Sequence, residues 1–178
     1  MFSKDSVIGV IGSGAMGAGI AQVAATAGYV VYVYDNNAKS LEKAQANLKT
    51  SLTKLVEKQK ISAEQSAIIL KNIHFVADLN SFSKCNLVVE AIVENLEIKQ
   101  KVFSDLEKIV SADCILATNT SSLSITSIAA SCTKPERVLG IHFFNPATLM
   151  PLVEIIPGIA SKQNLASEAK ANPMHQRI

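Results

Sequence analysis

Val7-Ile8-Gly9-Val10-Ile11-Gly12-Ser13-Gly14-Ala15-Met16-Gly17-Ala18-Gly19-Ile20 is the stretch that decides the fold. An apolar run suited to a buried strand ends in Gly-x-Gly-x-x-Gly, and small residues then open a helix. In that setting Gly12 allows a tight turn, and Gly14 lets the backbone approach a pyrophosphate. Gly17 lets helix and strand pack closely, and the free N–H groups of Ser13, Ala15 and Met16 at the helix start face the phosphate charge. A glycine turn alone is a weak signal, since such turns are common.

The next strand strengthens it. Tyr29-Val30-Val31-Tyr32-Val33-Tyr34 ends at Asp35, 18 residues beyond Gly17, where an acid accepts hydrogen bonds from the adenosine ribose and repels a 2′-phosphate. Asn36 and Asn37 are neutral and no Arg follows nearby, so NAD is expected in preference to NADP, with Lys39 the one nearby cation.

Further along, strands are expected near 6–11, 29–34, 73–77, 86–91, 114–118, 137–142 and 152–156, with helices at 15–27, 38–58, 63–71 and 96–110. Alternation of this kind predicts an α/β, Rossmann-type, doubly wound and mostly parallel sheet. Residues 38–72 exceed one crossover and are expected to project as a helical hairpin. Only residues 143–151 separate the last two strands, too few for a parallel crossover, so an antiparallel edge pair is expected. The NAD-binding domain is drawn as 1–160, and 161–178 as a divergent tail of doubtful order, polar and Ala-rich.

The 178 residues suffice for one core. A net charge of +2, with Lys and Arg scattered, gives no reason to expect nucleic acid as a partner. No apolar run is long enough for a membrane span, and glycines at 9, 12, 14, 17 and 19 break up any signal-like segment. The three cysteines, Cys85, Cys114 and Cys132, have no CxxC spacing, so buried thiols in the cytoplasm are expected, and no metal site.

Polar residues collect after strand ends: Asp35, Glu94, Asn119 to Ser121, and His142 to Asn145. Ligands of such sheets lie beyond the carboxyl ends of the strands. His142 and Glu154 both lie six residues from Thr148, so an antiparallel turn centred there sets them opposite each other. A hydrogen-bonded imidazole and carboxylate suit removal of a proton from an alcohol. Residue type alone leaves open a histidine that caps the sheet edge and a glutamate that reaches solvent.

Together, VIGVIGSGAMGAGIAQ (7–22), VVEAIVENLE (88–97), TNTSSLS (118–124), HFFNP (142–146) and LVEI (152–155) resemble the L-3-hydroxyacyl-CoA dehydrogenase family, in family order and over about residues 5–160. The resemblance implies NAD-dependent oxidation of an L-3-hydroxyacyl-CoA to the 3-oxoacyl-CoA, or the reverse, as in fatty-acid β-oxidation or aromatic-acid breakdown. It implies His142 as general base with Glu154 as its partner, Ser121 at the substrate hydroxyl or nicotinamide, and Asn145 holding cofactor and substrate. Asn119, Glu94 and Lys99 fall on the NAD side, and Ser51 and Lys58 match coenzyme A contacts. Family members continue into an all-helical domain that closes the acyl cleft and makes most of a homodimer interface. This sequence ends at Ile178 without matching that continuation, so the alternative expectation is an NAD-binding module inactive on its own.

Overall fold

The computed structural model describes residues 3 and 5–170. Seven strands form one sheet: β1 (Val7–Ile11), β2 (Val30–Tyr34), β3 (Ile73–Val76), β4 (Leu87–Glu90), β5 (Ile115–Thr118), β6 (Val138–Phe143) and β7 (Val153–Pro157). Their spatial order is β3-β2-β1-β4-β5-β6-β7. All neighbours are parallel except β6 and β7, which pair antiparallel. The chain turns back across the sheet between β1 and β4, the switch point at which a crevice opens beyond the strand ends.

Both faces of the sheet are covered. Along β1, Ile8 and Val10 point into one core with Val31, Val33, Leu87 and Val89, and Ile11 points into the other with Phe82, Val88 and Leu116. The two-residue period divides each strand between two apolar layers, which is why β2 and β4 read as unbroken hydrophobic runs.

Helix α1 (Ala15–Thr26) follows the glycine turn and buries Ile20, Ala21 and Val23 to Ala25. Helix α2 (Ala38–Glu57) starts where the Asn37 side chain accepts from the backbone N–H groups of Lys39 and Ser40. A capping box of Ser62 and Gln65 opens α3 (Ala63–Asn72). These two helices form the expected hairpin, but it does not simply project from the sheet. Leu48, Leu52 and Ile69 join the main core, giving its inner face the same support as the rest of the domain.

The four predicted helices end within a few residues of their expected limits, α4 spanning Leu96–Glu107. A short α5 (Ile125–Ala129) and 3-10 turns at Leu79–Lys84 and Pro135–Arg137 were not anticipated, being too brief to display a period. The segment after β7 departs from the sequence expectation. It leads into α6 (Leu165–Lys170), whose Leu165 and Ala169 are buried in the core. The Ser161 hydroxyl donates to the carbonyl of Val138 at 2.6 Å, and the Lys162 N–H donates to that of Glu136 at 2.9 Å. Two apolar side chains and these bonds order residues whose composition reads as a loose tail. The rest of that tail, 171–178, lies outside the described residues.

Candidate active site

The glycine turn behaves as its spacing requires. Gly12 has φ of +96°, and a Cβ on Gly17 would stand 1.8 Å from the carbonyl oxygen of Gly12. Those two positions are glycine for the sake of the chain itself. Gly14 differs: it has ordinary extended φ and ψ, and a Cβ placed there meets no protein atom within 4 Å. Its bareness serves whatever occupies the space above the start of α1, and a dinucleotide pyrophosphate fits that opening.

Asp35 sits at the end of β2 beside this turn. One carboxylate oxygen accepts the N–H and hydroxyl of Ser13 at 2.8 and 2.7 Å, and the other accepts the N–H of Asn37 at 3.0 Å. Burial alone would raise its pKa, but the bonds from Ser13 and Asn37 outweigh burial and hold it below the ordinary carboxylate value. Asp35 is thus anionic and fixed in orientation, as an acceptor for ribose hydroxyls must be.

A cavity of about 890 Å3 spreads from the glycine turn past Asp35 to Ala91–Val93 after β4. Ser40, Lys43 and Asn47 of α2 also line it. Their three- and four-residue spacing puts them on one helix face, yet a polar face beside a ligand reads the same as a solvated one.

On the other side of the switch point, β4 and β5 end side by side, with Glu90 registered against Thr118. Glu90 is fully buried and accepts from Lys99 Nζ at 2.6 Å, the Thr118 hydroxyl at 2.7 Å and the Ile92 N–H at 2.7 Å. Lys99, expected to contact the cofactor, is only 1% exposed and spends its ammonium on Glu90 and, at 3.3 Å, on Glu94. Of the two acids, Glu94 is the exposed one, at 39%. Glu94 also accepts the hydroxyls of Thr120 and Ser122. Burial pushes its pKa up, and the Thr120 bond, the Lys99 charge and the Ser122 bond together bring it below the ordinary value. Glu90 went unnoticed in the sequence; its signal is an acid closing an apolar strand whose parallel neighbour ends in Thr.

At the far edge, His142 and Glu154 stand directly opposite in the β6–β7 register, with Nδ1 and Oε2 2.8 Å apart. An ionised carboxylate can only accept, so against it Nδ1 donates, and in the neutral imidazole that tautomer leaves the lone pair on Nε2. The Phe144 ring lies 4.7 Å from the imidazole, centroid to centroid. Asn119 accepts the N–H of Phe143 at 2.8 Å, tying the end of β5 to the His142 strand. A Cβ on Gly19 would come within 3.1 Å of the Ala147 side chain, so α1 and the loop carrying Asn145 touch through a glycine.

Ser121 and Asn145 are exposed beside this edge, and no side-chain hydrogen bond engages them among the described residues. Neither they nor His142 line the cavity at the glycine turn. Ser51 and Lys58 are exposed toward the end of α2, also outside its wall. Burial pushes the thiols of Cys85 and Cys114 up to about 12, which makes them inert. Among the described residues, no group of three or more His, Cys, Asp or Glu is arranged to hold a metal ion, and no helix is long and apolar enough to cross a membrane.

Residues 7–174 match the family model described as 3-hydroxyacyl-CoA dehydrogenase, NAD binding domain. The chain belongs to this family. The match runs beyond residue 160, through α6. A probable 3-hydroxybutyryl-CoA dehydrogenase of Deinococcus radiodurans is 46% identical over 158 residues, covering 89% of this chain and 56% of the relative. The 3-hydroxyadipyl-CoA dehydrogenase of Escherichia coli is 43% identical over 168 residues, covering 94% of this chain and 35% of the relative. The crystal structure of a 3-hydroxybutyryl-CoA dehydrogenase from E. coli superimposes with a TM-score of 0.93 at 40% identity, over 97% of this chain and 37% of the other. The chain thus spans about half, or less, of the length of these relatives. Its NAD cofactor follows from the family, whose matched part is the NAD-binding domain.

Proposed function

We propose that this domain carries the cofactor site and the proton-transfer pair for NAD-dependent oxidation of an L-3-hydroxyacyl-CoA to a 3-oxoacyl-CoA, or the reverse. The His142–Glu154 pair, at the same end of the sheet as the glycine turn, is the observation that carries this reading. The turn from Gly12 to Gly17 would hold the pyrophosphate, with Ser13, Ala15 and Met16 offering N–H groups. Asp35 would hold the adenosine ribose, and the nicotinamide half would extend across the switch point toward Glu94 and Asn119 to Ser121.

When bound, NAD supplies the acceptor for the hydride leaving C3 of the substrate. His142 takes the proton of the 3-hydroxyl at Nε2, the nitrogen left free by the bond from Nδ1 to Glu154. Glu154 keeps the ring in that tautomer and stabilises the imidazolium that forms. Ser121 and Asn145, exposed beside the pair, would hold the hydroxyl or thioester oxygen and the nicotinamide. Ser51 and Lys58 would meet coenzyme A, with Lys58 suited to a phosphate. The buried, inert thiols suit a reducing cytoplasmic setting.

One observation favours the alternative of a module that binds NAD but needs a partner to turn over. Leu149, Met150, Leu152, Ile156 and Ile159 are all exposed along the β7 edge, beside the proton-transfer pair. Apolar side chains gathered there suit a covering surface that would also exclude water from the reaction.

Calorimetry with NAD beside an NADH-formation assay on an L-3-hydroxyacyl-CoA separates the two readings. Turnover that falls about 100-fold to 10,000-fold in His142→Ala, with NAD affinity kept, supports the enzyme. NAD binding without turnover by the pure folded chain supports the module.

A further inference from the structure

Three ionised side chains meet under the part of the crevice assigned to the nicotinamide half. Glu90 and Lys99 are sealed from solvent at 0% and 1% exposure, and Glu94 is 39% exposed. Two carboxylates share one ammonium, so the cluster carries one uncompensated negative charge. The Lys99 distances, 2.6 Å to Glu90 and 3.3 Å to Glu94, assign the ammonium chiefly to Glu90. The surplus charge therefore sits on Glu94, the one member of the cluster that is exposed.

The nicotinamide ring is positively charged in NAD and neutral in NADH. We infer that the Glu90–Lys99–Glu94 cluster sets the relative affinity of the domain for the two cofactor forms, with Glu90 as the positioning residue that commits Lys99 and leaves Glu94 anionic beside the ring. The inference rests on the nicotinamide placement proposed above. A negative charge near the ring favours the cationic form. Without the charge on Glu90, Lys99 would turn to Glu94 and cancel it. The burial of Glu90 also accounts for its three hydrogen bonds, since an anion in that position must be fully satisfied.

Charge counting makes this testable. The cluster carries −1 in the wild type, 0 in Glu94→Gln and 0 in Glu90→Gln. It returns to −1 in the double variant Glu90→Gln/Lys99→Met, which has no buried charge left without a partner. Calorimetric titration of the full chain with NAD and with NADH gives the ratio of the two dissociation constants, with thermal unfolding recorded alongside.

Glu94→Gln is expected to raise Kd for NAD relative to that for NADH by about threefold to tenfold. Glu90→Gln shifts the ratio the same way, and the double variant restores it. An unchanged ratio in Glu94→Gln overturns the inference, and so does a double variant whose ratio stays shifted. These two variants decide the matter even if Glu90→Gln fails to fold. A merely structural role for Glu90 would weaken both forms alike and leave nothing for Lys99→Met to restore. A wild-type chain that binds neither form would sink the cofactor placement itself, whereas binding of both with a ratio insensitive to these variants would sink only the charge argument.

Discussion

Among the described residues two cations are buried, at opposite ends of the sheet, and they are held in different ways. At the amino end, Arg137 donates to the carbonyls of Ser111 at 2.7 Å and Glu107 at 3.3 Å, and pairs with the Glu107 carboxylate at 3.4 Å. That carboxylate also accepts the N–H groups of Thr133 and Lys134, so every bond ends on the protein and joins α4 to the loop before β6. At the carboxyl end, the Lys99 network ends on Glu94, an exposed acid. A planar fork suits the spanning of several backbone carbonyls, whereas a single ammonium suits a choice between two acids. The same pairing chemistry gives cohesion at one end and polarity toward a ligand at the other.

The sharpest way to break this comparison is to remove each cation in turn. Arg137→Met should cost about 3–5 kcal/mol of stability in urea unfolding, because Glu107 loses its countercharge and the carbonyls of Ser111 and Glu107 lose their donor, while NAD affinity stays near that of the wild type. A large loss of NAD affinity in a folded Arg137→Met chain would show that the two ends are not separate.

Next in size is Gly14→Ala. The new methyl group meets no protein atom, so stability should stay within about 1 kcal/mol of the wild type. NAD affinity should fall by about tenfold or more, since the methyl group stands where the pyrophosphate approaches. Calorimetry and thermal unfolding on one sample check both halves, and undiminished affinity would remove the cofactor explanation for that glycine.

The smallest effect is in acid. Asp35, Glu94 and Glu107 all have folded pKa values below their ordinary ones; for Glu107, burial acts upward and is outweighed by the bonds from Thr133 and Lys134 and the charge of Arg137. A depressed carboxylate contributes stability that is fully present above its unfolded pKa and is lost as pH falls through its folded pKa. Unfolding temperature should therefore hold through neutral pH and decline below the ordinary carboxylate range. Glu107→Gln should start lower and decline less steeply, and parallel curves for the two proteins would contradict this assignment.

The same contrast explains how much was legible in the sequence. Gly12, Gly14, Gly17 and Asp35 could be read because backbone geometry dictates their spacing. His142 and Glu154 could be paired because an antiparallel turn fixes a simple sum of residue numbers. Glu90 and Arg137 could not, since a buried charge contradicts the hydropathy pattern that locates strands and helices. Only the parallel register that sets Glu90 beside Thr118 shows why an acid is tolerated there. Lys99 came to notice only through the family resemblance, and its depth was not legible in the sequence. In α6, Leu165 and Ala169 are too few for a period, and only contact with the core orders them.

The β6–β7 hairpin brings one consequence for the chemistry. Val153 and Ile155 pack against the core while Glu154, between them, points the other way toward His142. A slip of one residue would turn the acid inward and set an aliphatic side chain before the imidazole. Oil-loving neighbours thus guard the alignment of the His142–Glu154 pair, and a substitution that loosened their grip would part the two with both polar side chains intact.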